Sequence, residues 1–332
     1  MGLVAACGPA TSTGRGGSPA TPRPFGSAIS IHAWFDLPDD SRSRELSGIA
    51  WDEGTRTLWG VQDESAKIVQ LVPDRDLKNW SFGPMIELKM AFPVDLEGIV
   101  ILQDGFIVAS EKGPRLLEID RKGKLRRDIA LPAHFANARD NKSLESLAMS
   151  PGGRFLFTTT EGALSSDGEN ATPNAGARVR VLRIPRDTGE VVENAYATDP
   201  APHGIGDYGV ADMAAISNDD LLVLERGWTR GSGNTARIYR VSTNDAASMC
   251  LGNPALAADA PVMEKKLVVD LAKLVVSGLP ALKQPQDSPL LDNFEGLAIG
   301  PVLPDGRRTL ILVSDDNGRT DQFARIVVLA VG

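Results

Sequence analysis

Short apolar runs, each bounded by an acidic residue, recur along this chain. The clearest is Asp292-Asn293-Phe294-Glu295-Gly296-Leu297-Ala298-Ile299, followed after a turn by Leu310-Ile311-Leu312-Val313-Ser314-Asp315. The same order stands at Asp95-Leu96-Glu97-Gly98-Ile99 with Phe106-Ile107-Val108-Ala109-Ser110-Glu111, and at Ser143-Leu144-Glu145-Ser146-Leu147 with Phe157-Thr158-Thr159-Thr160-Glu161. It recurs at Val210-Ala211-Asp212-Met213 with Leu221-Leu222-Val223-Leu224-Glu225. A variant opens the set, at Glu45-Leu46-Ser47-Gly48-Ile49 with Leu58-Trp59-Gly60-Val61-Gln62-Asp63. Runs of this length with turn residues between them predict strands. Their repetition predicts a propeller or a solenoid.

The second copy displays a whole unit. Strands are expected at 98–102, 106–110, 115–120 and 124–131, separated by Gln103-Asp104-Gly105, Lys112-Gly113-Pro114 and Arg121-Lys122-Gly123. Four short strands with turns between them make one propeller blade. The other copies fill in alike: 67–72 and 84–92 in the first, 178–184 and 191–197 in the third, 236–241 and 265–271 in the fourth. Residues 29–37 have no first strand before them, and 324–331 have no fourth strand after them. Pairing the two closes a ring and hides two sheet edges, which otherwise invite aggregation. The expected fold is therefore an all-β single propeller over residues 29–332, with five four-stranded blades and the terminal strands sharing one blade. A sixth, degenerate blade within 243–291 is the alternative. Long insertions at 162–177, 242–264 and 280–291 read as functional loops, and 251–260 as a short helix.

Apolar residues make up 42% of the 332, enough for a full core, and the net charge of −8 disfavours nucleic acid and anionic membrane surfaces as partners. No run of about 18 apolar residues predicts a transmembrane helix. Val4-Ala5-Ala6-Cys7 resembles the end of a lipoprotein signal peptide whose earlier part is missing, and 9–28 read as a flexible tether. Residues 1–28 are thus expected to be a truncated signal and tether, with Cys7 the lipidation site and Cys250 a lone thiol. The expected location is the bacterial cell envelope, periplasmic or lipid-anchored, with membrane contact only through the lipid and the protein a monomer.

Equivalent positions in a ring converge near its axis. Glu97, Glu145, Asp212 and Glu295, with Ser47 in the fifth copy, all open a first strand. Asp63, Glu111, Glu161, Glu225 and Asp315 all close a second strand. Antiparallel pairing puts both sets on one face. Carboxylates gathered there repel and call for protons, basic partners or a cation. An all-oxygen donor set suits Ca²⁺, with Mg²⁺ second. Lys112, Arg115, Arg226, Arg230 and Arg319 follow closely and, with Lys142, offer charge for a phosphate. The competing reading is structural, each acid capping a turn or pairing across a blade boundary.

Other chemistries find little support. His32, His134 and His203 have no metal-ligand spacing, Gly231-Ser232-Gly233 lacks a strand–helix context, and no Gly-x-Ser-x-Gly elbow occurs. Asp315-Asp316-Asn317-Gly318 lacks the spacing of a calcium loop. His203-Gly204-Ile205-Gly206 reads as a rim turn.

Several motifs together resemble the bacterial phytase-like family, described as esterase-like activity of phytase. They are Glu45-Leu46-Ser47-Gly48-Ile49, Asn141-Lys142-Ser143-Leu144-Glu145, Thr160-Glu161-Gly162 and Leu222-Val223-Leu224-Glu225-Arg226-Gly227. Asp292-Asn293-Phe294-Glu295-Gly296-Leu297 with Leu303-Pro304-Asp305-Gly306-Arg307-Arg308 is the most specific. Lys142 and Ser146 depart from the pattern. The resemblance spans about 40–331 and implies an exported propeller and a phosphoesterase. The expected function is metal-assisted hydrolysis of a small phosphorylated ligand, without an organic cofactor. Glu97, Glu145 and Glu295 are the catalytic candidates. The alternative is a non-catalytic propeller that binds a ligand or an envelope protein at the same acidic mouth.

Overall fold

The structure, a computed structural model, describes residues 26, 28–63, 65–202, 207–244, 255–257 and 259–332. Cys7, Cys250 and the 203–206 turn lie outside them, as does nearly all of the 1–28 tether. Strand β1 (Ile29–Asp36) belongs to the last blade. The first blade is β2 (Leu46–Asp52), β3 (Thr57–Gln62), β4 (Lys67–Pro73) and β5 (Trp80–Glu87). The second is β6 (Leu96–Leu102), β7 (Gly105–Ser110), β8 (Arg115–Asp120) and β9 (Leu125–Ile129). The third is β10 (Leu144–Met149), β11 (Phe155–Thr160), β12 (Arg178–Pro185) and β13 (Val192–Ala197). The fourth is β14 (Asp207–Ala215), β15 (Asp220–Thr229), β16 (Gly233–Ser242) and β17 (Lys265–Asp270). The fifth joins β18 (Asn293–Gly300), β19 (Arg308–Asp315) and β20 (Arg325–Val331) to β1.

Every sheet is antiparallel, and first strands touch first strands around the axis. The ring closes as the termini predict. Ile29 pairs with Val331 and Asp36 with Arg325, and the Arg325 guanidinium holds the Asp36 carboxylate at 2.6 Å. Five blades account for every described strand, and the described residues of 243–291 add β17 to the fourth blade instead of forming a sixth. The described part of 251–260 contains no helix. The fourth strand of the first blade begins at Trp80, four residues before its expected start.

Each sheet is sandwiched between two others, so its inner strands are buried on both faces. All six residues of β7 are buried. The outer β9 is mostly exposed and correspondingly polar. Five apolar clusters fill the five blade boundaries. Trp59, Val61 and Ile68 meet Ile99, Phe106 and Val108 between the first and second blades, for example. Each such buried side chain contributes about 1.5–3 kcal/mol. At the axis the first strands approach so closely that a Cβ on Gly48 would lie 2.2 Å from the Glu97 carbonyl oxygen, and one on Gly98 2.7 Å from Leu147 Cβ. These glycines are fixed by close approach rather than by turns.

Two of the three insertions border the same end of the axis. The 162–177 loop follows Glu161 directly and is anchored by Asp167, which pairs with the buried Arg180 at 2.6 Å. The 280–291 segment leads into β18 and places Gln284 beside Trp228 of β15.

Candidate functional site

A bulge sets the geometry of every first strand. The register of β6 on β7 jumps between Leu96 and Gly98, leaving Glu97 as the extra residue. The same jump leaves Glu145 in β10 and Glu295 in β18. In β2 it spans Ser47 and Gly48, and in β14 it leaves Ala211. A bulge re-aims a side chain and ends regular pairing. Here it brings Ser47, Glu97, Glu145 and Glu295 together around the axis. The Ser47 hydroxyl donates to Glu97 Oε2 at 2.6 Å.

The fourth blade differs from the repeat expected from its sequence. Ala211, not Asp212, occupies the bulge, and Asp212 falls where the other blades have Gly48, Gly98, Ser146 and Gly296. Its carboxylate accepts from the Met213 N–H at 2.8 Å and from the Leu297 N–H at 2.7 Å. Burial pushes Asp212 well above the usual range, against the pull of the Leu297, Met213 and Leu147 N–H groups. Asp212 therefore ties three blades together on the axis and is not part of the mouth. On β15, Glu225 pairs with Val210, so the position equivalent to Asp63, Glu111, Glu161 and Asp315 belongs to Arg226. A slip of one residue moves a side chain to the opposite face. Glu225 is wholly buried among Tyr208, whose hydroxyl donates to it at 2.7 Å, Lys265 at 2.7 Å, and Tyr196. Asp212 and Glu225 are both corrections to the expected ligand set.

Arg226 thus puts a guanidinium in a ring of acids. It donates to Glu295 Oε1 at 2.8 Å and lies 3.7 Å from both Glu161 and Asp207. Burial works against its charge, but Glu161, Glu295, Asp207 and Glu145 together hold its pKa above the ordinary arginine value. Lys142 completes this side, 2.6 Å from Glu161 and paired with Asp207.

The other side is answered differently. Asp63, Asp95 and Glu97 bring carboxylate oxygens within 4.8 Å of one another. Lys112, half exposed at the rim, reaches Asp95 Oδ2 at 3.1 Å. Asp95 Oδ1 is buried and finds no hydrogen-bond partner among the described residues. Glu97 is raised well above the usual carboxylate range by burial, then by the charge of Glu295, with the Ser47 hydrogen bond opposing. Glu145, between the two sides, is raised by burial and by Glu97, Glu161 and Glu295. Glu295 and Asp315 are raised, first by burial. Glu111 is raised by burial against its hydrogen bond from the Ser143 N–H at 2.8 Å. Two unit charges about 4 Å apart repel by roughly 4 kcal/mol at a surface-like dielectric.

The Asp63, Asp95 and Glu97 oxygens fit a hard cation. Ligand oxygens lie about 2.3–2.6 Å from Ca²⁺, so opposite ligands stand up to about 5 Å apart. The donors are all oxygen, and Asp95 Oδ1 lacks a partner. Asp95 was not singled out from the sequence. It opens the Asp95-Leu96-Glu97 repeat, two residues before Glu97.

The remaining basic candidates lie further out. Arg115 pairs with Asp128 on the fourth strand of its blade at 2.7 Å and covers the Phe92 ring, away from the axis. Arg319 pairs with Asp321 at 2.8 Å and lines a cleft of about 540 Å³ that adjoins Arg226 and Glu295. Arg230 is exposed beyond β15. The opposite end of the channel is an apolar pocket of about 170 Å³, lined by Trp51, Ile101, Met149, Ala215 and Ile299 among others. Among the described residues, no titratable side chain lines it.

Fold and site together define a five-bladed propeller with an acidic mouth, paired with Arg226 and Lys142 on one side and carrying the Asp63–Asp95–Glu97 cluster on the other. The chain belongs to the phytase-like family, described as esterase-like activity of phytase, whose model matches residues 42–318. No curated protein matches it. Among solved structures it is similar to a glutaminyl cyclase from Myxococcus xanthus, at 9% identity and TM-score 0.44, covering 91% of this chain and 99% of that one. It is also similar to a PQQ-bound aldose sugar dehydrogenase from Streptomyces coelicolor, at 12% identity and TM-score 0.42, covering 92% and 98%. For a protein from Lactobacillus plantarum the values are 14% and 0.37, covering 82% of this chain and 64% of that one. At these values none of their activities or cofactors carries over.

Proposed function

We propose that this is an exported propeller hydrolase that cleaves a phosphate ester at its acidic mouth with the help of a hard cation, Ca²⁺ in preference to Mg²⁺. The observation that carries the reading is the Asp63–Asp95–Glu97 cluster with the unpartnered, buried Asp95 Oδ1. Asp63, Asp95 and Glu97 would hold the ion. When bound, a hard cation polarises a phosphoryl oxygen or lowers the pKa of a water. Arg226 offers the phosphate a charged donor, its buried Nε having no partner among the described residues. Burial and its acidic neighbours favour the protonated form of Glu145, which supports a role for it as the acid that protonates the leaving alcohol. Glu295 accepts from Arg226 and from Asn293 Nδ2 at 2.8 Å, which holds the guanidinium toward the mouth.

Export rests on Val4-Ala5-Ala6-Cys7, outside the described residues. The acidic net charge of −8 agrees with a partner other than nucleic acid. The test is a panel of phosphate and carboxylate esters offered to the protein with Ca²⁺, without it, and after chelation. The expected result is phosphate-ester turnover that needs the cation and is lost in Glu145→Gln. Cation-dependent melting with no turnover of any ester would instead establish the binding propeller.

A further inference from the structure

Beside the mouth, between the fourth and fifth blades, lies the cleft of about 540 Å³. That size lies within the range of small-molecule sites, about 300–1,000 Å³. Its charged lining cancels: Asp207 and Glu295 against Arg226 and Arg319. Each of these is also ion-paired, Arg226 with Glu295 and Asp207, and Arg319 with Asp321. The cleft as a whole therefore carries no net charge to draw a polyanion, and Arg226 at its inner edge is left to the mouth.

Carboxamides dominate what remains. Asn234, Gln284, Asn293, Asn317 and Gln322 all line the cleft. Each offers a donor and an acceptor, as every alcohol does. Asn234 is 2% exposed, and its Oδ1 has no partner among the described residues, although its Nδ2 reaches Gln286 Oε1 at 3.3 Å. A buried polar atom left in that state invites a ligand hydrogen. Trp228, one of few exposed large apolar side chains, lines the same cleft at 37% exposure. Its indole N–H donates to Gln284 Oε1 at 3.1 Å, which fixes the ring.

We propose that this cleft binds a neutral saccharide, with a C–H face of the sugar ring on the Trp228 indole and hydroxyls on the amides. An amphipathic ring with one apolar face and polar edges matches that lining, for the same reason that tryptophan suits half-wet interfaces. The inference adds the sugar part of a substrate to the hydrolytic reading but rests on the cleft alone.

The experiment offers the full chain, in chelator, a panel of glucose, galactose, mannose, N-acetylglucosamine, maltose and cellobiose. Binding is read by saturation-transfer NMR and calorimetry. At least one sugar is expected to bind, and Trp228→Ala is expected to weaken it about tenfold or more without shifting the melting temperature. Gln284→Ala, on a surface connection, serves as the second variant and should weaken the same sugar. Silence across the panel overturns the proposal, as does binding that both variants leave intact. Sugar binding without ester turnover would overturn hydrolysis alone. Turnover of phosphate esters with a silent panel would overturn the saccharide alone.

Discussion

The two sides of the mouth start from the same repeat and reach different solutions to the same charge problem. On the side of the third, fourth and fifth blades, Glu161, Glu295 and Asp207 surround Arg226 and Lys142. On the side of the first and second blades, Asp63, Asp95 and Glu97 face one another, with Lys112 reaching in from a half-exposed rim. The difference arises in one blade. Where β15 reaches the axis, the residue in the acid's place is Arg226, because the fourth-blade register is one residue away from the apparent repeat. A ring of equivalent positions thus becomes a polar pair: a built-in cation on one side and, in the function proposed above, a foreign one on the other.

The largest effect should come from removing the built-in cation. Arg226→Leu leaves Glu161, Glu295 and Asp207 without their shared guanidinium. Breaking a buried ion pair from one side costs about 3–5 kcal/mol. Urea unfolding should register a loss of that order. A loss below about 1 kcal/mol would mean that the two sides are electrostatically alike.

Acidity sharpens the same contrast. Glu97, Glu145, Glu295 and Asp315 all have folded pKa values above their ordinary ones, and Asp292, behind the mouth, is raised by burial from 3.8 to about 6. A carboxyl raised on folding stabilises the protein fully below its unfolded pKa, and that stability is lost as pH rises through the folded pKa. Chelated protein should therefore be more stable near pH 5 than near pH 8. Asp292 alone accounts for about 1.4 kcal/mol of the difference, because its unfolded form is already ionised at pH 5. Thermal melts across that range in chelator are the check. Glu97→Gln should flatten the dependence, because its ionisation is met by no built-in cation, whereas a profile that rises with pH would contradict the burial argument.

Much of this was legible in the chain. Five apolar, acid-bounded repeats and two incomplete ends were enough for the blade count and the closure, because strand alternation and turn residues are local signals. The bulge is not local. Asp212 and Glu225 look like members of the repeat, and only the pairing of Val210 with Glu225 puts Ala211 and Arg226 in their places. The fourth strand of the first blade was misplaced for a related reason. As an outer strand it is half solvated, and Ser81 and Gly83-Pro84 break the apolar signal at its start. Lys142, a departure from the family pattern, proves to be an ion-pair partner of Glu161 and Asp207. The sugar-sized cleft was not legible in the sequence: Trp228 and Asn234 face each other across a local hairpin, but Gln284 joins them only through the topology.

The central claim is that one side of the mouth takes a cation and the other has its own. Calorimetric Ca²⁺ titration of the chelated protein tests it most directly, comparing Asp63→Asn, Asp95→Asn and Glu97→Gln with Glu161→Gln. The account predicts that the wild type binds one ion at the mouth. Each of the first three variants should weaken binding about tenfold or more by removing an oxygen ligand, and Glu161→Gln should leave it nearly unchanged. Wild-type protein that binds no Ca²⁺, or a Glu161→Gln loss as large as that of Glu97→Gln, would contradict it.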